Sequence, residues 1–157
     1  MSSISIFLAD DAATRAAGAR LSGLMRAGDV VALYGGLGAG KTTLSRGLIS
    51  ALMGTETDVH SPTYTLVQTY DAPDFSVFHF DLYRLKSPDE LVELGWDDTQ
   101  IGLALIEWPE RAGAALPAWR LDVQLETSGT GRKLTLAAHG EDWQTRLHDF
   151  RFDDTTG

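Results

Sequence analysis

The chain has 157 residues, a formal net charge of −9 and no cysteine, so disulfides, thiolate metal sites and cysteine nucleophiles are excluded. The length suits one domain, and 43% hydrophobic with 22% charged residues is typical of a globular protein. The acidic balance disfavours direct binding to a nucleic-acid backbone, because that affinity comes from clustered basic side chains. No apolar run approaches the roughly 20 residues of a membrane span, and the N-terminus lacks the features of a secretory signal. We therefore expect a cytoplasmic protein.

The predicted elements of the first half alternate between strands and helices. Alternating or continuous apolar runs predict strands at residues 3–8, 30–34, 64–70 and 75–81. The last two are separated by a turn at residues 71–74, which indicates a hairpin. Asp10 or Asp11 is expected to cap a first helix, which Gly18 weakens. A second helix is predicted from Lys41, after a glycine-rich loop.

The second half begins with a strong helix signal. Ser87 is followed by proline and then by Glu90, which forms a capping box, and the short helix is expected to end at Gly95. Strands are predicted at residues 103–107, 121–125 and 134–136, the last two as an antiparallel hairpin, and a final helix at residues 142–147. This order predicts an α/β sandwich with a mixed sheet that is parallel in its centre and antiparallel at the C-terminal hairpin.

The loop after the second strand matches the phosphate-binding pattern GxxxxGK[ST], between a predicted strand and a predicted helix. Glycines allow backbone N–H groups to surround phosphate oxygens, Lys41 reaches the β- and γ-phosphates, and the hydroxyl of Thr42 ligates Mg²⁺. The predicted nucleotide-binding residues of this segment are Gly36, Leu37, Gly38, Ala39, Gly40, Lys41, Thr42 and Thr43. The motif predicts a P-loop NTPase-like three-layer sandwich, with residues 1–157 forming one ATPase domain.

Two acids close predicted strands and are candidates for the metal site and for catalysis. Asp81 ends one strand and Glu107 ends another, so one is expected near Mg²⁺ and the other beside the attacking water. The sequence contains no asparagine, which excludes the NKxD guanine-binding motif and favours ATP. Thr63 and Thr65 lie either in a switch-like segment that senses the γ-phosphate or in an ordinary loop.

Histidine, tryptophan and arginine side chains have alternative interpretations. His60 and His79 are more simply explained as structural histidines than as acid–base groups. The tryptophans at positions 96, 108 and 143 are typical of core or interface anchors. Three arginines are candidates to neutralise triphosphate charge or are ordinary surface residues: Arg84, Arg111 and Arg132.

Four blocks of the sequence resemble the TsaE family of bacterial ATPases in tRNA threonylcarbamoyladenosine synthesis. They occupy residues 33–43, 61–67, 79–85 and 106–110, in the family's order and spacing. The resemblance implies ATP and Mg²⁺ binding, with weak hydrolysis that depends on the partner proteins TsaB and TsaD. It also implies that the chain meets tRNA only through that complex, in which TsaD modifies adenosine 37.

The resemblance also implies roles for individual residues. Lys41 and Thr42 match the phosphate and Mg²⁺ residues, Glu107 the metal-site acid and Asp81 the Walker B-like acid. Two further residues correspond to positions that approach the nucleotide, Asp11 and Arg132. One departure is visible, because the family usually has Asp where this chain has Gly36.

The leading hypothesis is therefore an accessory ATPase of a tRNA-modifying complex. The alternative is a small-molecule or nucleoside kinase that uses the same phosphate loop. A third possibility is a nucleotide-gated binding module without meaningful turnover.

Overall fold

The computed structural model describes residues 3–36, 38–59 and 66–150, and within them seven strands form one sheet. The strands are β1 Ser3–Leu8, β2 Val30–Tyr34, β3 Val67–Asp71, β4 Ser76–Asp81, β5 Leu103–Glu107, β6 Arg120–Ser128 and β7 Gly131–His139. The α-helices are α1 Asp11–Ser22, α2 Lys41–Met53 and α3 Glu141–His148. Every element predicted from the sequence is present. β3 is observed from Val67, and residues 64 and 65 of the predicted strand lie outside the described residues.

The sheet is mixed, in the order β1-β7-β6-β2-β5-β4-β3. The four central strands β6, β2, β5 and β4 pair in parallel, which confirms the predicted parallel centre. The C-terminal hairpin of β6 and β7 is antiparallel, as predicted. The sheet is also antiparallel at its other edge, where β3 pairs with β4, and β1 extends the C-terminal hairpin by pairing with β7. The pairing of β3 with β4 confirms the hairpin predicted there, although the expected fold named antiparallel strands only at the C-terminal hairpin.

Apolar clusters cover both faces of the sheet. On one face α1, α2 and α3 pack on the buried side chains of the central strands, such as Val31, Leu33 and Leu105. The other face holds a smaller cluster around Phe80 and Ile106. That cluster includes residues of three 3-10 helices, at Pro88–Leu94, Trp96–Ile101 and Pro109–Ala115.

The capping box predicted at Ser87 is present. The Ser87 hydroxyl accepts a bond from the backbone N–H of Asp89, and the Glu90 carboxylate accepts bonds from the N–H groups of Lys86 and Ser87. The helix that follows is a 3-10 helix, and Gly95 ends it with a φ of 82°. The sequence located this helix correctly because the capping signal does not depend on the helix type.

Two glycines allow α1 and α2 to approach each other closely. A Cβ atom at Gly18 would lie 2.1 Å from the carbonyl oxygen of Leu44, and one at Gly47 would lie 2.0 Å from that of Arg15. Gly18 was expected only to weaken α1, but the structure shows that it is needed for this contact. The contact fixes the position of α2, and with it the position of Lys41 at the N-terminus of that helix.

No helix in the described part of the chain is long and apolar enough to cross a membrane.

Candidate functional site

A cleft of about 350 Å³ lies where the central parallel strands end and the glycine-rich loop leads into α2. Parallel strands present the side chains that follow their carboxyl ends at one edge of the sheet, and the helix N-terminus adds backbone N–H groups there. The residues that line the cleft are Asp11, Gly38, Ala39, Gly40, Lys41, Thr42, Thr43, Asp81, Glu107, Trp108 and Arg132. The cleft therefore brings together almost all of the predicted site residues.

The glycine-rich loop connects β2 to α2. Gly35 and Gly40 have φ values of 152° and 102°, which favour glycine. A Cβ atom at Gly40 would also lie 2.8 Å from the guanidinium carbon of Arg132. Gly36 does not line the cleft, and a Cβ atom there would have no atom within 4 Å among the described residues. Leu37 lies outside the described residues.

The first turn of α2 points into the cleft. Gly40 is the N-cap of the helix, and as a glycine it has no side chain that could accept a bond from the first N–H groups. The first backbone N–H groups of a helix have no partners within the helix itself. Lys41, Thr42 and Thr43, which form this first turn, line the cleft. The geometry suits an anionic group, because the N–H groups and the partial positive charge of the helix dipole act in the same place.

The ammonium group of Lys41 is held at the cleft by non-ionic neighbours. Its Nζ donates a hydrogen bond of 2.7 Å to the carbonyl oxygen of Gly35 and lies 3.8 Å from the centre of the Trp108 ring. Burial lowers the pKa of Lys41 below its ordinary value of 10.5, and the charges of Glu107 and Asp81 oppose this shift. The side chain thus carries its charge in an unfavourable environment that a phosphate group would improve.

The two candidate acids are neighbours across the sheet. Asp81 and Glu107 are paired residues at the ends of the parallel strands β4 and β5. They are only 4% and 3% exposed. The Asp81 carboxylate accepts a bond of 3.0 Å from the backbone N–H of Tyr83, which orients it at the strand end. Both acids line the same cleft as Lys41, and their expected roles beside Mg²⁺ and the attacking water stay predictions.

His79 contacts one of these acids directly. It is fully buried, and its Nε2 lies 2.7 Å from Oε2 of Glu107. The interpretation of His79 as a structural histidine missed this contact. A sequence signal was available, since residues 79 and 81 of a strand lie on the same face.

Trp108 is a second residue whose role the sequence did not reveal. It follows Glu107 with a φ of 57°, a left-handed conformation that is uncommon for a tryptophan. Its ring packs against Tyr83 at 4.8 Å as well as against the Lys41 ammonium. Packing alone was predicted, but the side chain forms a wall of the cleft.

Arg132 approaches the cleft from β7. Its Nη1 donates to Oδ1 of Asp11 at 2.7 Å and to the hydroxyl of Thr14 at 3.1 Å. A second cleft of about 360 Å³ lies between residues 8–11 and the turn of the C-terminal hairpin. It shares Asp11, Gly38 and Arg132 with the first cleft, so the two are contiguous. The resemblance implied that Asp11 and Arg132 each approach the nucleotide, and in the structure both residues line the cleft.

The remaining predicted residues do not join this site. Arg84 and Arg111 do not line the cleft, and the Arg111 guanidinium lies 5.9 Å from the centre of the Tyr83 ring. Trp143 is buried in the core, and Trp96 packs edge-on against Phe80, so both have the predicted packing role. Three further candidates lie outside the described residues: His60, Thr63 and Thr65.

The donor set of the cleft suits a hard cation that also binds a ligand. No group of three or more histidine, aspartate or glutamate side chains in the described ranges could hold a metal ion alone. Mg²⁺ is typically held by one or two carboxylates together with substrate phosphates and water. The oxygens of Thr42, Asp81 and Glu107 fit that mode, because they lie in the cleft that also presents Lys41.

Comparisons with known proteins agree with this arrangement. The family model described as "Threonylcarbamoyl adenosine biosynthesis protein TsaE" matches residues 8–134, which include all the residues that line the cleft. The chain is 41% identical over 133 residues to "tRNA threonylcarbamoyladenosine biosynthesis protein TsaE" of Rickettsia conorii, covering 82% of this chain and 76% of that protein. It is 34% identical over 134 residues to the protein of the same name from Bacillus subtilis, covering 83% of each.

A solved structure supports the fold independently. The crystal structure of Bacillus subtilis YdiB has a TM-score of 0.79 to this chain at 24% identity, and the match covers 99% of this chain and 97% of that one. At this identity the likeness shows the fold alone. The family match and the two relatives show more: this chain belongs to the TsaE family.

Proposed function

We propose that the protein is an ATP-binding and ATP-hydrolysing accessory subunit of the tRNA threonylcarbamoyladenosine modification complex, with a P-loop NTPase-like three-layer sandwich as its single domain. The family match supports the link to tRNA modification, and one observation carries the assignment of the nucleotide site. The loop lysine Lys41, the helix residue Thr42 and the strand-end acids Asp81 and Glu107 all line one cleft. This combination is what the binding of a nucleoside triphosphate with Mg²⁺ requires.

The shape and charge of the site support ATP as the ligand. The N-terminus of α2 and Lys41 offer positive potential for the β- and γ-phosphates. The contiguous second cleft, beyond Asp11 and Arg132, offers space for the nucleoside part. The absence of asparagine from the sequence argues against guanine recognition by an NKxD motif.

In this proposal the chain's own residues divide the catalytic work. Lys41 exchanges its bond to the Gly35 carbonyl for the phosphate oxygens. Thr42 and Glu107 would hold Mg²⁺, and the ion would neutralise phosphate charge when bound. Asp81, kept in place by the Tyr83 N–H, orients the attacking water.

We propose that the isolated chain hydrolyses ATP weakly, and the bonding of Arg132 supports this. Its guanidinium is already bonded to Asp11 and Thr14. Transition-state charge must be stabilised by groups that are already aimed at it. We propose that binding to TsaB and TsaD orders or supplies those groups. The net charge of −9 fits a division of labour in which the partners hold the tRNA.

Calorimetry of ATP binding in the presence of Mg²⁺ tests the site. Lys41→Ala is expected to weaken binding at least about 100-fold, because it removes a charged donor to the phosphates. Lys133→Ala is the matched control, since Lys133 is exposed and lies on the face of β7 opposite to Arg132. Near-normal binding by Lys41→Ala would refute the assignment of the phosphate loop.

Two further experiments test the cellular role. Deletion of the gene is expected to lower threonylcarbamoyladenosine in tRNA, measured by mass spectrometry, and unchanged levels would contradict the proposal. A pull-down with TsaB and TsaD, with and without ATP, is expected to show nucleotide-dependent association. Phosphoryl transfer from ATP to a metabolite would instead favour the kinase alternative.

A further inference from the structure

His79 and Glu107 form a hydrogen-bonded pair of buried side chains beside the cleft. The His79 side chain is fully buried, the Glu107 side chain is 4% exposed, and Nε2 lies 2.7 Å from Oε2. Nδ1 of His79 has no hydrogen-bond partner within the described ranges. Buried polar atoms normally have hydrogen bonds, so the unbonded Nδ1 makes the position of this ring energetically unfavourable. The hydrogen bond of its other nitrogen is to an acid of the cleft.

The position of the pair connects it to the candidate metal site. His79 stands opposite Leu105 in the register of β4 and β5, and Glu107 is two residues further along β5. Their side chains therefore share one face of the sheet with Asp81, and the contact runs diagonally towards the cleft. His79 does not line the cleft itself, whereas Glu107 does.

We infer that His79 is a positioning residue that fixes the carboxylate of Glu107 through Oε2 and leaves Oε1 for the metal ion in the cleft. This inference rests on the proposed function, because it concerns the Mg²⁺ held there. Donation from Nε2–H requires the ring tautomer with its proton on Nε2. The unpartnered Nδ1 agrees with that tautomer, because a proton on Nδ1 would be a buried donor without an acceptor.

Fixing one carboxylate oxygen has a chemical purpose. A carboxylate that rotates freely loses entropy when it binds a cation, whereas one that is already oriented does not. Partners behind metal ligands commonly change metal affinity about 10–100-fold when they are removed. The Lys41 ammonium lies in the same cleft and attracts Glu107, so His79 also holds this carboxylate against a competing cation.

Two substitutions separate the positioning role from a packing role. In His79→Gln the side-chain amide nitrogen reaches about as far as Nε2, so the bond to Glu107 can be kept. In His79→Asn the amide stops near the place of Nδ1, and the bond is lost. ATP affinity is measured by calorimetry with excess Mg²⁺ and with EDTA. The ratio of the two affinities measures how much Mg²⁺ strengthens ATP binding.

We expect His79→Asn to lower this ratio about tenfold or more, while the affinity in EDTA stays near that of the wild type. His79→Gln is expected to remain within about threefold of the wild-type ratio. An unchanged ratio in His79→Asn, or equal losses in both variants, would overturn the positioning role while leaving the proposed function standing. A wild-type chain that does not bind ATP would overturn both.

A spectroscopic measurement on the wild type covers the case in which a variant does not fold. Long-range ¹H–¹⁵N correlation spectra of the histidine rings report which nitrogen carries the proton. We expect the proton of His79 on Nε2. A proton on Nδ1 alone would overturn the inference, because Nε2 would then have no hydrogen to donate to Glu107.

Discussion

The buried cations at the two ends of the sheet have different kinds of partners. Next to the start of β2, Arg146 and Asp29 form a two-pronged ion pair with distances of 2.7 and 2.8 Å, and their side chains are 7% and 9% exposed. At the other end of β2, the Lys41 ammonium bonds to the Gly35 carbonyl and faces the Trp108 ring. One end pairs its charges with each other, whereas the other holds a cation on non-ionic groups.

The pKa values of the two cations show the difference. Burial opposes the charge of Arg146, but its hydrogen bonds to Asp29 and Asp142 outweigh burial and raise the pKa of the guanidinium. Burial dominates at Lys41 and lowers its pKa, despite the charges of Glu107 and Asp81. The first arrangement stabilises the fold. The second arrangement keeps an unfavourable buried charge that a ligand can neutralise, as is common at binding sites.

Arg146→Met gives the largest expected effect, a loss of about 3–5 kcal/mol in the free energy of unfolding. The substitution removes bonds to Asp29 and to the Leu24 carbonyl and leaves a buried carboxylate without its guanidinium. Denaturant unfolding measures the loss. ATP binding of the folded fraction is expected to be unchanged, because the pair lies at the end of the sheet opposite to the cleft.

Lys41→Met is the matched control for this comparison. It also removes a buried cation, but one whose charge the fold does not stabilise, so a change within about 1 kcal/mol is expected. A loss as large as that of Arg146→Met would show that the two ends of the sheet do not differ.

The pH dependence of stability sharpens the comparison with a smaller effect. Because folding lowers the pKa of Lys41, the unfolded chain binds more protons just below pH 10.5, the group's ordinary value. The free energy of unfolding contributed by Lys41 therefore rises with pH in that window, by at most about 1.4 kcal/mol per pH unit. The difference between the wild type and Lys41→Met measures it, since other lysines cancel. A difference that falls with rising pH would contradict the lowered pKa.

Local signals made much of the fold and the centre of the site predictable. The apolar run of β2, the glycines after it and Lys41 are adjacent in the sequence, so the loop and the start of α2 follow from a short segment. The same holds for the acids, because each ends a run of buried residues, as at Glu107. Parallel pairing then placed the acids near the loop, which a general rule anticipates.

Long-range contacts were not predictable in the same way. β1 pairs with β7, so that Ser5 contacts Thr135 across 130 positions, and a short alternating strand carries no information about such a partner. The close approach at Gly18 and the bond from Arg132 to Thr14 also depend on how distant elements pack. Sequence patterns give the face of an element, whereas its neighbours are decided by the whole core.

Gly36→Asp gives the smallest expected effect and tests where the functional end of the sheet stops. The resemblance to the family suggested that Asp is usual at this position, but Gly36 is exposed and a Cβ atom there meets nothing within 4 Å in the described structure. The free energy of unfolding is expected to change by no more than about 0.5 kcal/mol. Since Gly36 does not line the cleft, ATP affinity measured by calorimetry should stay within about threefold of the wild type. A larger loss of affinity would show that the ligand-binding region extends beyond the cleft to this loop position, because a carboxylate there would repel the phosphates.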